Sequence, residues 1–198
     1  MTSPVGEAAA AALRGELIVL PTDTVYGIGT RPDDPDATGR LFEAKSRSRQ
    51  VALPVLASSV DEVVAVAVLD ERAERLAREH WPGGLTLVLP RAPGSRGWDL
   101  GGDPEIIGVR VPRHPLARAV LLASGPLAVT SANRSGEPTP ASCAELVDTF
   151  GDLVSVYLCQ DEPLEGEPST VLDLAHGEPR VMREGSVPRE SIDALLAG

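Results

Sequence analysis

Lysine is almost missing from this chain. Of its 18 basic residues, Lys45 alone is a lysine and the rest are arginine. Asparagine is as scarce, with Asn133 the single example. Aromatic residues make up 3%, so a core must be built from valine, leucine, isoleucine and alanine, and a hydrophobic content of 42% suffices for that. No apolar run approaches the roughly 18 residues of a membrane helix. The N-terminal "MTSPVGEAAAAALRGE" lacks the basic-then-apolar order of a signal peptide. Cys143 and Cys159 form no CxxC pair and read as lone thiols of a reduced, cytoplasmic protein. There is no GxxxxGK[ST], because Ala44 precedes the only lysine, and no HExxH or GxSxG. P-loop phosphate binding, zincin chemistry and a hydrolase nucleophile elbow are thereby excluded. The three histidines form no cluster with the cysteines, so no metal site is expected.

The net charge of −11 argues against a surface that grips nucleic acid broadly. It leaves room for a local anion site. Exposed charges beyond about 8–10 Å are screened at physiological salt, whereas a cation at about 4 Å in a partly dry pocket contributes about 4 kcal/mol before desolvation.

The hydrophobic patterning predicts a single layered α/β domain over 1–198, with helices and strands alternating. Strands are predicted at 15–21, 52–57, 84–90, 106–112, 126–132, 153–158, 170–174 and 180–184. Helices are predicted at 7–14, 36–45, 59–67, 70–80, 114–125, 142–151 and 189–197. Ser59 and Asp70 are N-caps, Pro115 opens a helix that Gly125 ends, and Ser142 with Glu145 forms a capping box. "PRAPGSRGWDLGGDP" (90–104) reads as a surface loop.

Four polar segments fall at strand ends, where open α/β sheets carry ligand loops. They are "PTDTVYGIG" (21–29), "KSR" (45–47), "TSANRSGEPT" (130–139) and "PST…REG" (168–185), and Arg110 joins them. Each has an ordinary explanation. Lys45, Arg47 and Arg49 complement a helix dipole, "SANRSG" suits a turn, Gly27 and Gly29 supply unusual φ, and Arg110 reaches to water. None of these explains why arginine did not replace Lys45, or aspartate Asn133. A compact ammonium and a short side chain carrying both a donor and an acceptor fit a nucleotide triphosphate. Lys45 would be a point charge, facing solvent when empty, and Arg47 a bidentate fork on phosphate.

Seven segments in register resemble the YrdC-like threonylcarbamoyl-adenylate synthases: "PTDTVYGIG", "FEAKSR", "WPGGLTLVLP", "GVRVPRHPLA", "TSANRSGEPTP", "PSTVLDL" and "REGSVP". The resemblance spans roughly 15 to 188 and is to the short, single-domain form. It implies a twisted mixed sheet flanked by helices, with a concave basic ligand cleft. It implies the formation of threonylcarbamoyl-AMP and pyrophosphate from L-threonine, bicarbonate or CO2, and ATP. A separate transferase would then modify tRNA, whose direct contact with this protein would be weak and local. The resemblance places ATP on Lys45, Arg47, Val51, Ser131, Asn133, Thr139 and Arg183, with Lys45 and Arg47 catalytic. It places L-threonine on Thr24, Arg110, Val129 and Ser169, and Mg²⁺ mainly on the phosphates. Leu56 stands where longer members carry a histidine, and Ser48 where a proline is usual. Two alternatives share the fold: a YciO-like paralog that binds RNA or nucleotide without making the adenylate, and the carbamoyl-transfer module of hydrogenase maturation.

Overall fold

The computed structural model describes residues 3–197. In chain order the elements are α1 (Pro4–Leu13), β1 (Ile18–Leu20), β2 (Gly27–Thr30), α2 (Pro35–Ala44), β3 (Val55–Leu56), α3 (Val60–Val66), α4 (Glu71–His80), β4 (Leu85–Pro90), β5 (Ile106–Arg110), α5 (Pro115–Ser124), β6 (Leu127–Ser131), α6 (Cys143–Phe150), β7 (Val156–Tyr157), β8 (Thr170–Asp173), β9 (Arg180–Arg183) and α7 (Arg189–Leu196). One nine-stranded sheet runs β7-β1-β2-β6-β3-β5-β4-β8-β9. It is mixed: β1/β7, β3/β5 and β4/β8 are parallel and the other neighbours antiparallel.

The sheet separates two apolar clusters, and the strand period of two sorts residues between them. Leu17 and Val19 enter the larger cluster, with Tyr26, Leu41, Phe42, Leu76 and Leu87. Ile18 and Leu20 enter the smaller one, where α1 packs its alanines against Ala117, Val120 and Leu121 of α5. The predicted caps form. Ser59 Oγ accepts from Glu62 N, Asp70 Oδ1 from Ala73 N, and Ser142 Oγ from Glu145 N while Glu145 Oε2 accepts from Ser142 N. His114 caps α5, its Nδ1 accepting from Leu116 N.

Three features differ from the sequence reading. Strand β2 was not expected, because Gly27 and Gly29 read as turn glycines. Neither has a positive φ. They are small because the chains lie close: a Cβ on Gly27 would sit 2.6 Å from Val129 Cγ1, and one on Gly29 2.6 Å from the Ala128 carbonyl oxygen. The 90–104 segment is not merely a surface loop. Buried Arg91 donates to the carbonyls of Ile106, Ser95 and Trp98, and Leu100 is in the core.

The third difference corrects the reading of the cysteines. Cys143 and Cys159 are not lone thiols but a disulfide, with 5.7 Å between their α-carbons. Spacing alone could not reveal it, because the pairing depends on α6 turning back alongside the exit of β7. The bridge closes a 16-residue separation, and constraining an unfolded loop of that length contributes about 3 kcal/mol. Reduction, or Cys143→Ser, is expected to lower unfolding free energy by up to about that amount in chemical denaturation. No change on reduction would mean the bridge is not formed in solution.

Candidate functional site

Helix α2 ends at Lys45, and Ser46 leaves it in the left-handed region at φ 51°. This turn carries Lys45 into the loop that follows β6. The Lys45 carbonyl accepts from Ser135 N. Its Nζ donates to the carbonyls of Ser131 and Asn133 and to Asn133 Oδ1. The expectation of a solvent-facing lysine is wrong, for Lys45 is 1% exposed. An ammonium has three protons and finds three oxygens here, a cage that a planar guanidinium does not match. That is the physical reason for the single lysine.

Asn133 is likewise occupied within the protein. Its Oδ1 accepts from Ser131 Oγ at 2.6 Å as well as from Lys45, and its Nδ2 donates to the carbonyls of Arg134 and Glu137. The donor and acceptor that the sequence reading reserved for a nucleotide are spent on shaping the 131–137 loop. Thr139 lies further along this loop, half-buried.

Arg47 folds back onto its own segment, donating from Nε to the Val51 carbonyl at 3.0 Å and from Nη2 to that of Ala52. Across the sheet, Arg183 at the end of β9 donates from Nε and Nη2 to the Ser169 carbonyl and from Nη2 to Ser169 Oγ. Arg110, at the end of β5, is buried. It donates to the Gly83 carbonyl, to Thr24 Oγ1 at 2.9 Å and to Asp23 Oδ1 at 2.8 Å. Val129 is buried with its N–H on the Pro54 carbonyl. Leu56, paired with Arg110 in parallel register, lies in the smaller apolar cluster and adds no polar group to the site.

The charges are one-sided. Burial, then the nearby Arg47, holds the Lys45 ammonium down at about 8. Burial, then Arg183, lowers Arg47, and burial lowers Arg183. Burial also lowers Arg110, which Asp23 partly restores and Arg183 opposes. Among the described residues, Lys45, Arg47 and Arg183 have no carboxylate within 4 Å, and Asp23 neutralises Arg110 alone. The concavity beside this group is mixed in sign. A cleft of about 320 Å³ opens at the Asp23 end, lined by Glu79, His80, Arg113 and Ser186 among others.

The chain belongs to the Sua5/YciO/YrdC family, described as telomere recombination, whose profile matches residues 10–185. The threonylcarbamoyl-AMP synthase of Chromohalobacter salexigens is 38% identical over 178 residues, covering 88% of this chain and 94% of that one. The crystal structure of Pyrococcus abyssi Sua5 complexed with L-threonine superposes with a TM-score of 0.88 at 33% identity, over 97% of this chain and 57% of that one. Escherichia coli YciO superposes at 0.84 with 28% identity, over 93% and 90%. The chain therefore spans little more than half the length of the Pyrococcus protein.

The depressed Lys45 pKa has a measurable consequence. The folded value of about 8 lies below the ordinary 10.5, so the charged form destabilises the ligand-free fold wherever both states are protonated. Between those values the unfolded chain holds the proton and the folded chain does not, so stability rises with pH, by roughly 3 kcal/mol in total. Denaturation at pH 7.5, 9 and 10 should show that rise in the wild type and lose most of it in Lys45→Met. Equal slopes in the two proteins would contradict the burial of a charged lysine.

Proposed function

We propose that this protein is an L-threonylcarbamoyladenylate synthase: it joins L-threonine, bicarbonate or CO2, and ATP into threonylcarbamoyl-AMP and releases pyrophosphate. The observation that carries the reading is the set of three cations, Lys45, Arg47 and Arg183, held near one another without carboxylate partners. A group of this kind is stabilised when a polyanion enters, and a triphosphate matches it. The direct contact of Arg183 with Ser169 joins the proposed ATP site to the proposed threonine site. Together these groups would line a concave basic cleft.

In that arrangement Arg47, Thr139, Arg183 and the backbone at Val51 contact ATP, and Lys45, Ser131 and Asn133 act from behind them, Lys45 through its charge and Ser131 and Asn133 by shaping the loop. Thr24, Arg110, Val129 and Ser169 hold threonine. Three of the five Arg110 N–H groups have protein partners, which leaves two for the substrate carboxylate. In the chemical step a carbamate oxygen of N-carboxythreonine forms a bond to the α-phosphorus as the bond to pyrophosphate breaks. The residues contribute position and positive charge where negative charge builds on the phosphates, and no protein base is needed. Mg²⁺ would arrive on the triphosphate. Among the described residues no group of three acidic, histidine or cysteine side chains could cage it, and cationic neighbours leave its ligation to phosphate and water. The product is a mixed anhydride, to be used by a separate tRNA-modifying transferase. ATP and tRNA suit a cytoplasmic reaction, although the Cys143–Cys159 bridge removes the free-thiol argument for a reducing compartment; no helix of the described residues is long and apolar enough to cross a membrane.

The YciO-like reading draws on the likeness to Escherichia coli YciO. One experiment separates the two. Labelled bicarbonate, threonine and ATP should yield pyrophosphate only when threonine is present. Arg47→Ala should raise the KM for ATP by roughly 10- to 150-fold, the loss of one charge-assisted contact. Threonine-independent turnover, or tight RNA binding with no pyrophosphate release, would favour the paralog.

A further inference from the structure

The hydroxyl of Thr24 has a fixed hydrogen-bond polarity, and that of Ser169 can take the opposite one. Thr22 Oγ1 lies 2.6 Å from the Val25 carbonyl, which can only accept, so the single Thr22 proton goes there. Thr22 Oγ1 is also 2.9 Å from Thr24 Oγ1, and that contact must then use the Thr24 proton. Thr24 Oγ1 accepts from Arg110 as well. The 2%-exposed Thr24 is left with one lone pair and no proton to offer.

Ser169 is the complement. Thr86 is buried, and its hydroxyl has one partner among the described residues, Ser169 Oγ at 2.9 Å. Either hydroxyl can supply the proton of that contact. Arg183 Nη2 donates to the same oxygen at 3.1 Å. With Thr86 as the donor, both lone pairs of Ser169 are used and its own proton is free. Gly84 connects the two pairs. A Cβ there would lie 3.5 Å from Thr24 Cγ2, and its carbonyl accepts from Thr170 N, next to Ser169.

We propose that Thr22 and Thr86 are positioning residues that make Thr24 an acceptor and Ser169 a donor, so that the two together select a neutral hydroxyl on the substrate. The inference rests on the reading that L-threonine is the substrate, and it adds which of its groups binds where. A carboxylate has no proton for Thr24. An ammonium cannot accept from Ser169 and would sit beside the Arg110 cation. A hydroxyl satisfies both and completes one directed chain: Thr86 to Ser169, Ser169 to substrate, substrate to Thr24, Thr24 to Thr22, Thr22 to the Val25 carbonyl.

The test compares L-threonine with L-2-aminobutyrate, which lacks only the hydroxyl. Thr22→Val and Thr86→Val should each lower the ratio of kcat/KM for threonine over 2-aminobutyrate by about tenfold. Thr22→Ser and Thr86→Ser should restore it to within about threefold. An equal fall for both amino acids, or no restoration by serine, would overturn the proposal, since a purely structural role affects both substrates alike. If Thr22→Val shows no melting transition, Thr86→Val carries the test, for its hydroxyl touches Ser169 alone. If the wild type binds threonine but makes no pyrophosphate, the synthase reading fails and calorimetric affinities give the same ratio. Wild-type protein that binds threonine no more tightly than 2-aminobutyrate overturns the inference.

Discussion

The structure turns on a positive charge enclosed without a negative one. Lys45 is surrounded by carbonyl-type oxygens that satisfy its protons and leave its charge uncompensated. Neutral partners stabilise an ammonium geometrically, but burial still disfavours its ionisation. Arg47 and Arg183 add to the same local excess. In a chain with net charge −11, carboxylates are plentiful, yet among the described residues none lies within ion-pair distance of these three. A fold that needed only stability would place one there. Keeping the three cations unpaired stores free energy that an incoming polyanion releases.

The site's construction follows from that requirement. The Lys45 cage needs the loop after β6 to hold its shape without the ligand, and Asn133 supplies this by bonding both sides of its amide to the loop. The sheet runs β5 and β9 in the same direction, so that Arg110 and Arg183 lie at one end, while antiparallel β6 ends at Ser131 on the other. Gly27 and Gly29 let β2 lie close against Val129, which fixes where β6 ends and hence where Ser131 begins. Around Thr24 and Ser169, hydroxyl groups take the place of charges, and Arg110 is neutralised by Asp23.

Much of this was legible in the sequence, for identifiable reasons. The single lysine and single asparagine, singled out by their scarcity, are in contact at 3.2 Å. Their role in a ligand-free protein was misread, because composition shows that a residue type is required and not which atoms require it. Helix boundaries followed from caps such as Ser142 and Asp70, whose signals are local. The strand at 27–30 escaped, since a glycine selected for close approach looks the same as one selected for positive φ. The Cys143–Cys159 bridge escaped because it depends on a long-range approach of α6 and β7. Thr22 and Thr86 carry no motif of their own, and only the directions of hydrogen bonds reveal them.

Having one lysine makes the central claim open to a direct observation. In protein labelled with 13C at the lysine ε-carbon, a single signal reports the Lys45 ammonium. The account predicts a titration midpoint near 8 in the ligand-free protein, well below the ordinary 10.5, and a clear upward shift when ATP is added. A midpoint near the ordinary value that ATP leaves unchanged would contradict it.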